Sequence, residues 1–501
     1  MDNKASSTLI TAISALGLGI LGDALLRESP WGINIGLWIG ALIAVTFLVT
    51  RAAGIRLSPG NLWPTLPAII FVGGFAWRDS AVLRALDLAA VFISLGLVVW
   101  RAQGGTLFSA GVTTYLGGVF DAAGQTVVGF AHLVFRDVDW SSIPQQGVLK
   151  RAPATMTGVA IAMPLLLAFG GLFMAADAAY RQLVVKWLEF DPAEFATNVG
   201  VIWAGAWFAG GYLRPLVIYR GEPPLIERGR RTFFLGTVEI NTALGLINFL
   251  FLTFVLVQFR YLFGGAGLIE TIPGMKYATY AREGFYELLA VSALVLPVLL
   301  LADWALDEKS GKRGFRIQAV ILMALLTIVM ASAAQRLWLY QAEYGLTELR
   351  VYGGALLCWL ALVFICFVVT VLRGRRETFA FAALATTFAT LLALHILNPD
   401  AFIVRVNAAR PATGRHFDAR YAASLSADAT RELIRALPVA RPGEQRLVAE
   451  HLVSTWVTPA APDWRTWNWS RSQSIAACRD NAALLRRLAS GDEPDSQTKQ
   501  R

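Results

Sequence analysis

The chain has 501 residues, 56% of them hydrophobic and only 16% charged, with a formal net charge of +9 and a mean hydropathy of +0.53. Soluble domains carry about 25% charged residues and must show a polar surface to water. An ordinary cytosolic enzyme and a disordered chain are therefore excluded, and a polytopic membrane protein is implied.

A helix needs about 20 apolar residues to cross roughly 30 Å of hydrocarbon. Eleven stretches are candidates: 9–26, 32–50, 62–77, 85–100, 155–176, 193–213, 235–257, 285–306, 316–340, 352–372 and 378–397. Backbone groups in lipid must pair within their own segment, so the expected fold class is all-α, a transmembrane helix bundle of about eleven spans. The alternating polarity of a barrel is missing. The first span is not read as a cleaved signal peptide, because Asp23 and Arg27 stand where a small-residue cleavage site would lie. Within it, Gly17-Leu18-Gly19-Ile20-Leu21-Gly22 matches a dinucleotide fingerprint in letters only. No strand precedes it, so close helix packing is expected there and at Gly36 and Gly40.

Residues 106–135 are mildly apolar but contain Asp121, His132 and several glycines. They read as a re-entrant or interfacial helix and are left uncounted. Pro164 and Pro297 fall mid-span, where proline frees a carbonyl and kinks the axis. Glu239 and Asn241 lie about one turn into the seventh span, placed either for snorkelling and pairing with Arg231 or for a coupling ion. Ser310-Gly311-Lys312 lacks the earlier glycine of a phosphate loop and reads as a turn.

Lysine and arginine concentrate in alternate loops. With an inside amino terminus, the inner segments hold 19 of them and the outer segments 10. The bias is strongest in 214–231, 309–316 and 373–376, which must share one side. Positive charge stays in the cytoplasm. The residues after 397 are therefore expected outside it. Charge confined to loops in this way suits lipid headgroups, so the expected partner is the bilayer and not nucleic acid.

Beyond the eleventh span the composition changes. The expected organisation is a helix bundle over 1–397, a small helical domain over 398–490 and a disordered tail over 491–501. Ala429, Leu433, Ile434 and Leu437 share a helical face that Pro438 ends. Leu447, Val448, His451 and Leu452 repeat the pattern. Ser470 and Gln473 have capping-box spacing before a helix with Ile475, Cys478, Ala482 and Leu485 inward, and Gly491 sits at a C-cap position. Trp456, Trp464, Trp467 and Trp469 could seat this domain on the helix ends, or form a peptide or glycan platform. Asn468-Trp469-Ser470 is a glycosylation sequon by letters alone. Cys358, Cys366 and Cys478 have neither disulfide-framework nor zinc spacing, and the four histidines are scattered. No metal or other cofactor is expected. His395 reads as a cap or headgroup contact, with a proton relay as the sharper alternative.

Several segments resemble a bacterial membrane-protein family: Ala175-Ala176-Asp177 with Tyr180; Gln258-Phe259-Arg260-Tyr261-Leu262-Phe263-Gly264-Gly265; Tyr280-Ala281-Arg282-Glu283-Gly284-Phe285-Tyr286-Glu287; Leu339-Tyr340 through Arg350; Asn398-Pro399-Asp400 through Asn407; and Tyr421 through Ala429. The family is domain of unknown function 4173, related to family 4153, and the likeness covers most of residues 155–470. It implies a polytopic bacterial membrane protein and no activity.

On the expected topology these motifs gather at the outer helix ends. The candidate site is accordingly Asp177, Arg260, Arg282, Glu283, Glu287, Arg336, Tyr340, Glu348, Arg350, Asn398 and Asp400. Glu283 and Glu287 share a helical face that should seek Arg260, Arg336 or Arg350. Such a layer is either a structural ion-pair lock or an outward polar pocket for a periplasmic protein or small-molecule ligand. The leading expectation is a non-enzymatic binding, sensing or structural component. The alternatives are a secondary transporter with a midplane cavity near Pro164 and Pro297, and a membrane enzyme acting on a lipid-linked group with Glu283 or Glu287 as general base.

Overall fold

The computed structural model describes residues 3–55, 63–138, 162, 165–166, 169–177, 180–181, 192–218, 235–263, 284–306, 312–410, 417–457 and 463–491. The apolar runs fold as helices: α1 (Asn3–Leu26), α2 (Ile33–Ala52), α3 (Thr65–Trp77), α4 (Ala81–Ala102), α5 (Val112–His132, continued by a π-helical turn to Asp137), α6 (Pro192–Val217), α7 (Thr237–Phe263), α8 (Phe285–Ala305), α9 (Arg313–Tyr344), α10 (Glu348–Thr370) and α11 (Phe379–Leu397). Nine of the described helices are long and apolar enough to cross a membrane. The protein is a multi-pass, all-α membrane protein. The expected span at 155–176 falls largely outside the described residues.

The helices pack in two clusters. Leu18, Leu42, Phe71, Leu95 and Leu213 join α1, α2, α3, α4 and α6. Leu244, Leu299, Leu322 and Phe367 join α7, α8, α9 and α10. Helix α11 serves both, through Leu394 in the first and Phe379 in the second. Small residues let helices approach where lipid supplies no hydrophobic drive. Gly205 of α6 lies 3.1 Å, measured from an added Cβ, from the Gly19 Cα. The glycine-rich stretch of α1 is thus packing surface at Gly19, whereas Gly17 and Gly40 have nothing within 4 Å.

Contacts fix which helix ends share a face. The turns at 27–32, 78–80 and 345–347 all meet the C-terminal helices. The opposite face gathers the ends of α2, α4 and α6, where Val49, Val99 and Val217 pack together. It also holds the α8–α9 turn, with Lys312 2.8 Å from Asp303. Helix α3 has only 13 residues, yet it reaches from Trp63, stacked on Phe108 at one face, to Trp77, stacked on His395 at the other.

Helix α5, expected as a re-entrant or interfacial helix, is continuous and one of the nine apolar enough to span. Its first residue, Val112, lines a cleft with Trp304 and Arg376, and its π turn ends in an ion pair from Asp137 to Arg214. Both ends thus approach the face opposite the C-terminal helices, where Gln103, just past the end of α4, bonds Gln125 at 2.9 Å. Between them Val127 and Phe130 reach Trp207 within α6, and Phe120 and Phe135 are exposed.

The C-terminal helices are α12 (Pro399–Ala408), α13 (Ala419–Ala423), α14 (Thr430–Ala436), α15 (Pro442–Leu452), α16 (Trp469–Asp480) and α17 (Ala482–Ser490). Leu433, Leu437, Val448, Leu452, Cys478 and Leu485 form their core. In α15 the buried face is Val448, Ala449 and Leu452, while Leu447 and His451 are exposed. The cap of α16 is Asn468, whose side chain accepts from Arg471 N–H at 3.1 Å, and not Ser470. Asn481 breaks the expected long helix into α16 and α17. Gly491 takes the left-handed C-cap (φ 74°) that its position suggested.

Candidate functional site

The sequence-derived candidates fall in separate places. Asp177 is exposed beyond helical residues 169–176. The side chain of Arg260, and Arg282 and Glu283 entirely, lie outside the described residues. Glu287 is exposed on α8, and among the described residues it pairs with neither Arg336 nor Arg350. Arg336 is buried and donates to Gln258 Oε1 at 3.3 Å, beside the Ser332–Gln258 bond. Arg350 stacks over the Tyr340 ring at 3.9 Å and donates to the Gly345 carbonyl. Among the described residues Arg336 meets an amide side chain and Arg350 an aromatic ring, while Glu283, the other acid of the expected face, lies outside them.

Asn398 and Asp400 stand at the hinge into the C-terminal helices. Asn398 adopts a left-handed backbone (φ 54°), and its side chain caps α12 by accepting from Ala401 N–H. Asp400 is buried and accepts from the Ser426 hydroxyl and backbone N–H. Glu348 N–H donates to the Tyr421 hydroxyl at 2.8 Å. Burial, followed by the neighbouring Glu348 and Asp428 charges, pushes the Asp400 carboxyl up to about 6, although the Ser426 bonds oppose it. The folded value is raised, so the fold favours protonated Asp400. That stability is complete below the ordinary carboxylate range and is lost as pH rises through about 6. Acidification from pH 7.5 to 5 should therefore raise the unfolding temperature, and D400N should flatten that dependence and gain stability at pH 7.5. Thermal unfolding followed by size exclusion reads both.

The densest polar network lies alongside. Asp428, side chain 1% exposed, accepts from Asp79 N–H (2.7 Å), Ser80 N–H (3.0 Å), the Ser470 hydroxyl and Arg78 Nη1 (3.5 Å). Arg78 also donates from Nε and Nη2 to the His395 carbonyl, at 2.9 and 2.6 Å, and lies over the Trp77 ring. Asn468 spends its amide on the Phe75 and Arg78 carbonyls, so the sequon asparagine is a buried clasp. Arg471 pairs with Asp79 at 3.0 Å and bonds the Trp31 carbonyl. Burial raises the Asp79 carboxyl while Arg471 and Arg84 lower it.

One layer deeper, within the helices, His395 Nε2 of α11 meets Asp87 Oδ1 of α4 at 2.7 Å. Their side chains are 2% and 0% exposed. Asp87 Oδ2 and His395 Nδ1 are buried without a hydrogen-bond partner among the described residues. Gly74 of α3 packs directly on the pair, where an added Cβ would overlap Asp87 Oδ2. Sequence reasoning missed this pair because its members are 308 residues apart. The signal that could have found it is an aspartate inside an apolar span, which is costly and marks a function by default. Chemically the pair can hold or exchange a proton. No group of three or more metal-ligating side chains occurs among the described residues.

The family described as "Domain of unknown function (DUF4153)" matches residues 65–436. The chain belongs to the DUF4153 family. The match starts well before residue 155 and takes in Asp87, His395, Asp400 and Asp428, so the likeness reaches further toward the amino terminus than the motifs suggested. Family 4153 is what matches, in place of family 4173, which the motifs put first. No curated protein and no solved structure matches this DUF4153 chain.

Proposed function

We propose that the protein is a non-enzymatic sensing component of a bacterial inner membrane. In this reading the C-terminal helices, on the periplasmic side, read a condition or ligand and share one network with the buried Asp87–His395 pair. The observation that carries it is Arg78, whose guanidinium touches both the Asp428 carboxylate and the His395 carbonyl. A change in either binding layer must pass through it. The polar layer of Glu348, Asn398 and Asp400 flanks that bridge, and a periplasmic protein or small polar molecule is the proposed ligand. Orientation rests on Arg51, Arg101, Arg214, Arg316 and Arg373, which lie at the face away from the C-terminal helices.

Two measurements test this reading. Fusions at the carboxyl terminus should give active alkaline phosphatase and a dark fluorescent protein that matures only in the cytoplasm; the reverse pattern ends the periplasmic assignment. In nanodiscs, H395Q should change hydrogen-exchange protection of the Asp79 and Ser80 amides by about tenfold, roughly 1.4 kcal/mol of altered opening. Amides in the core around Val448 and Leu452 should not respond. An unchanged Asp79 and Ser80, or a uniform change throughout, would sink the coupling.

A further inference from the structure

On the face opposite the C-terminal helices, α5, α8 and the turn after α10 enclose a cleft of about 360 Å³. Val112 and Leu116 form one wall, Pro297, Leu301 and Trp304 the other, and Arg376 stands at its edge. Leu116 and Leu301 are 54% and 61% exposed, so the apolar walls open toward the surroundings of the bundle, which in a membrane protein are acyl chains. From Pro297 to Asp303 is six residues of α8, about 9 Å of depth at a helix rise of 1.5 Å per residue. The acid lining the cleft, Asp303, is already neutralised by Lys312 at 2.8 Å. Arg316 lies against the Gly374 turn, where Arg373, Arg375 and Arg376 outnumber the one acid, Glu377, so among the described residues the mouth carries net positive charge.

We infer that this cleft is a binding site for an anionic phospholipid, with the headgroup phosphate at the cationic turn of Arg316, Arg373, Arg375 and Arg376 and one acyl chain along Leu301 and Pro297. The shape and charge favour that occupant over a peptide or a soluble anion. The walls offer no backbone edge or polar ladder to a peptide, and the leucine-lined depth would be wasted on a free ion. Guanidinium and phosphate pair through charge-assisted hydrogen bonds. Each cation near an anionic headgroup contributes about 1 kcal/mol, about a fivefold preference. The inference is independent of the proposed sensing role, since it uses none of the residues of the Asp428 or Asp87 networks.

The test uses the full chain purified in detergent and offered equal dioleoylphosphatidylglycerol and dioleoylphosphatidylcholine, with retained lipid counted by native mass spectrometry. The wild type should retain the glycerol lipid at least about fivefold over the choline lipid. R376Q should lower the preference about fivefold. L301W, at an exposed position that folding tolerates, should fill the cleft and lower retention of the glycerol lipid without changing charge. R51Q, an exposed cation at the end of α2 in the other cluster, should behave as wild type. Equal retention of both lipids by the wild type would overturn the site. So would an R51Q loss as large as that of R376Q, which means diffuse surface attraction, or full retention by L301W, which means the cleft is not used.

Discussion

Changing Asp428 to alanine should free the C-terminal helices from the bundle, at a cost of about 3–5 kcal/mol. The carboxylate is fully enclosed, and four donors converge on it from three places: Asp79 and Ser80 at the start of α4, Arg78 before them, and Ser470 of the C-terminal helices. Removing it strands the Arg78 guanidinium, which burial already presses toward the neutral form and which Asp428 holds charged. It also leaves two backbone N–H groups without their acceptor, each worth about 1–3 kcal/mol when buried. D428N should cost less, because one oxygen remains, but it turns an amide N–H toward donors. The Asp79 and Ser80 amides should lose exchange protection in both variants. The α1–α6 contact at Gly19 should stay intact, since it is remote from the network.

Replacing His395 by alanine should be as damaging, for a different reason. The variant leaves Asp87 with neither oxygen bonded, in a helix layer where an unpaired charge costs several kcal/mol. The double variant D87L/H395L should recover most of the loss, since replacing a buried pair by packed apolar residues is commonly neutral or better. A cycle of D87L, H395L and the double variant, read by thermal unfolding in nanodiscs, therefore isolates the pair. Strong positive coupling is expected. Additive losses would mean that the two side chains act separately. If the double variant is stable yet no longer passes changes to the Asp79 and Ser80 amides, the pair is retained for its chemistry and not for packing.

Much of the fold was legible in the sequence because hydrocarbon imposes one rule on every segment. The described apolar runs became helices, and Cys478, Leu485 and Gly491 took the inward and capping roles that their spacing suggested. Helix α5 was left uncounted for its glycines and polar residues, yet it is long and apolar enough to cross a membrane. The site was far less legible. Periodicity sees neighbours within a helix, whereas Asp87–His395, Arg78–Asp428 and Asp79–Arg471 pair residues more than 300 positions apart. Asp428 was legible only within the Tyr421–Ala429 motif, and Asn468 only as a sequon. Among the described residues Arg336 meets an amide and Arg350 an aromatic ring, contacts that no helical period relates.

The two clusters are fastened at both ends. On one face α5 reaches from Trp304 beside α8 to Gly211 of α6, where Gly129 approaches within 3.0 Å, measured from an added Cβ. On the other, the C-terminal helices grip Gly32 and Asp79 of the first cluster and, through Asn407 and Tyr421, the α9–α10 turn of the second. A carrier that rocks must part its halves alternately at each surface, and here each parting would tear a strap. Parting α4 from α11 would in addition break the Asp87–His395 bond.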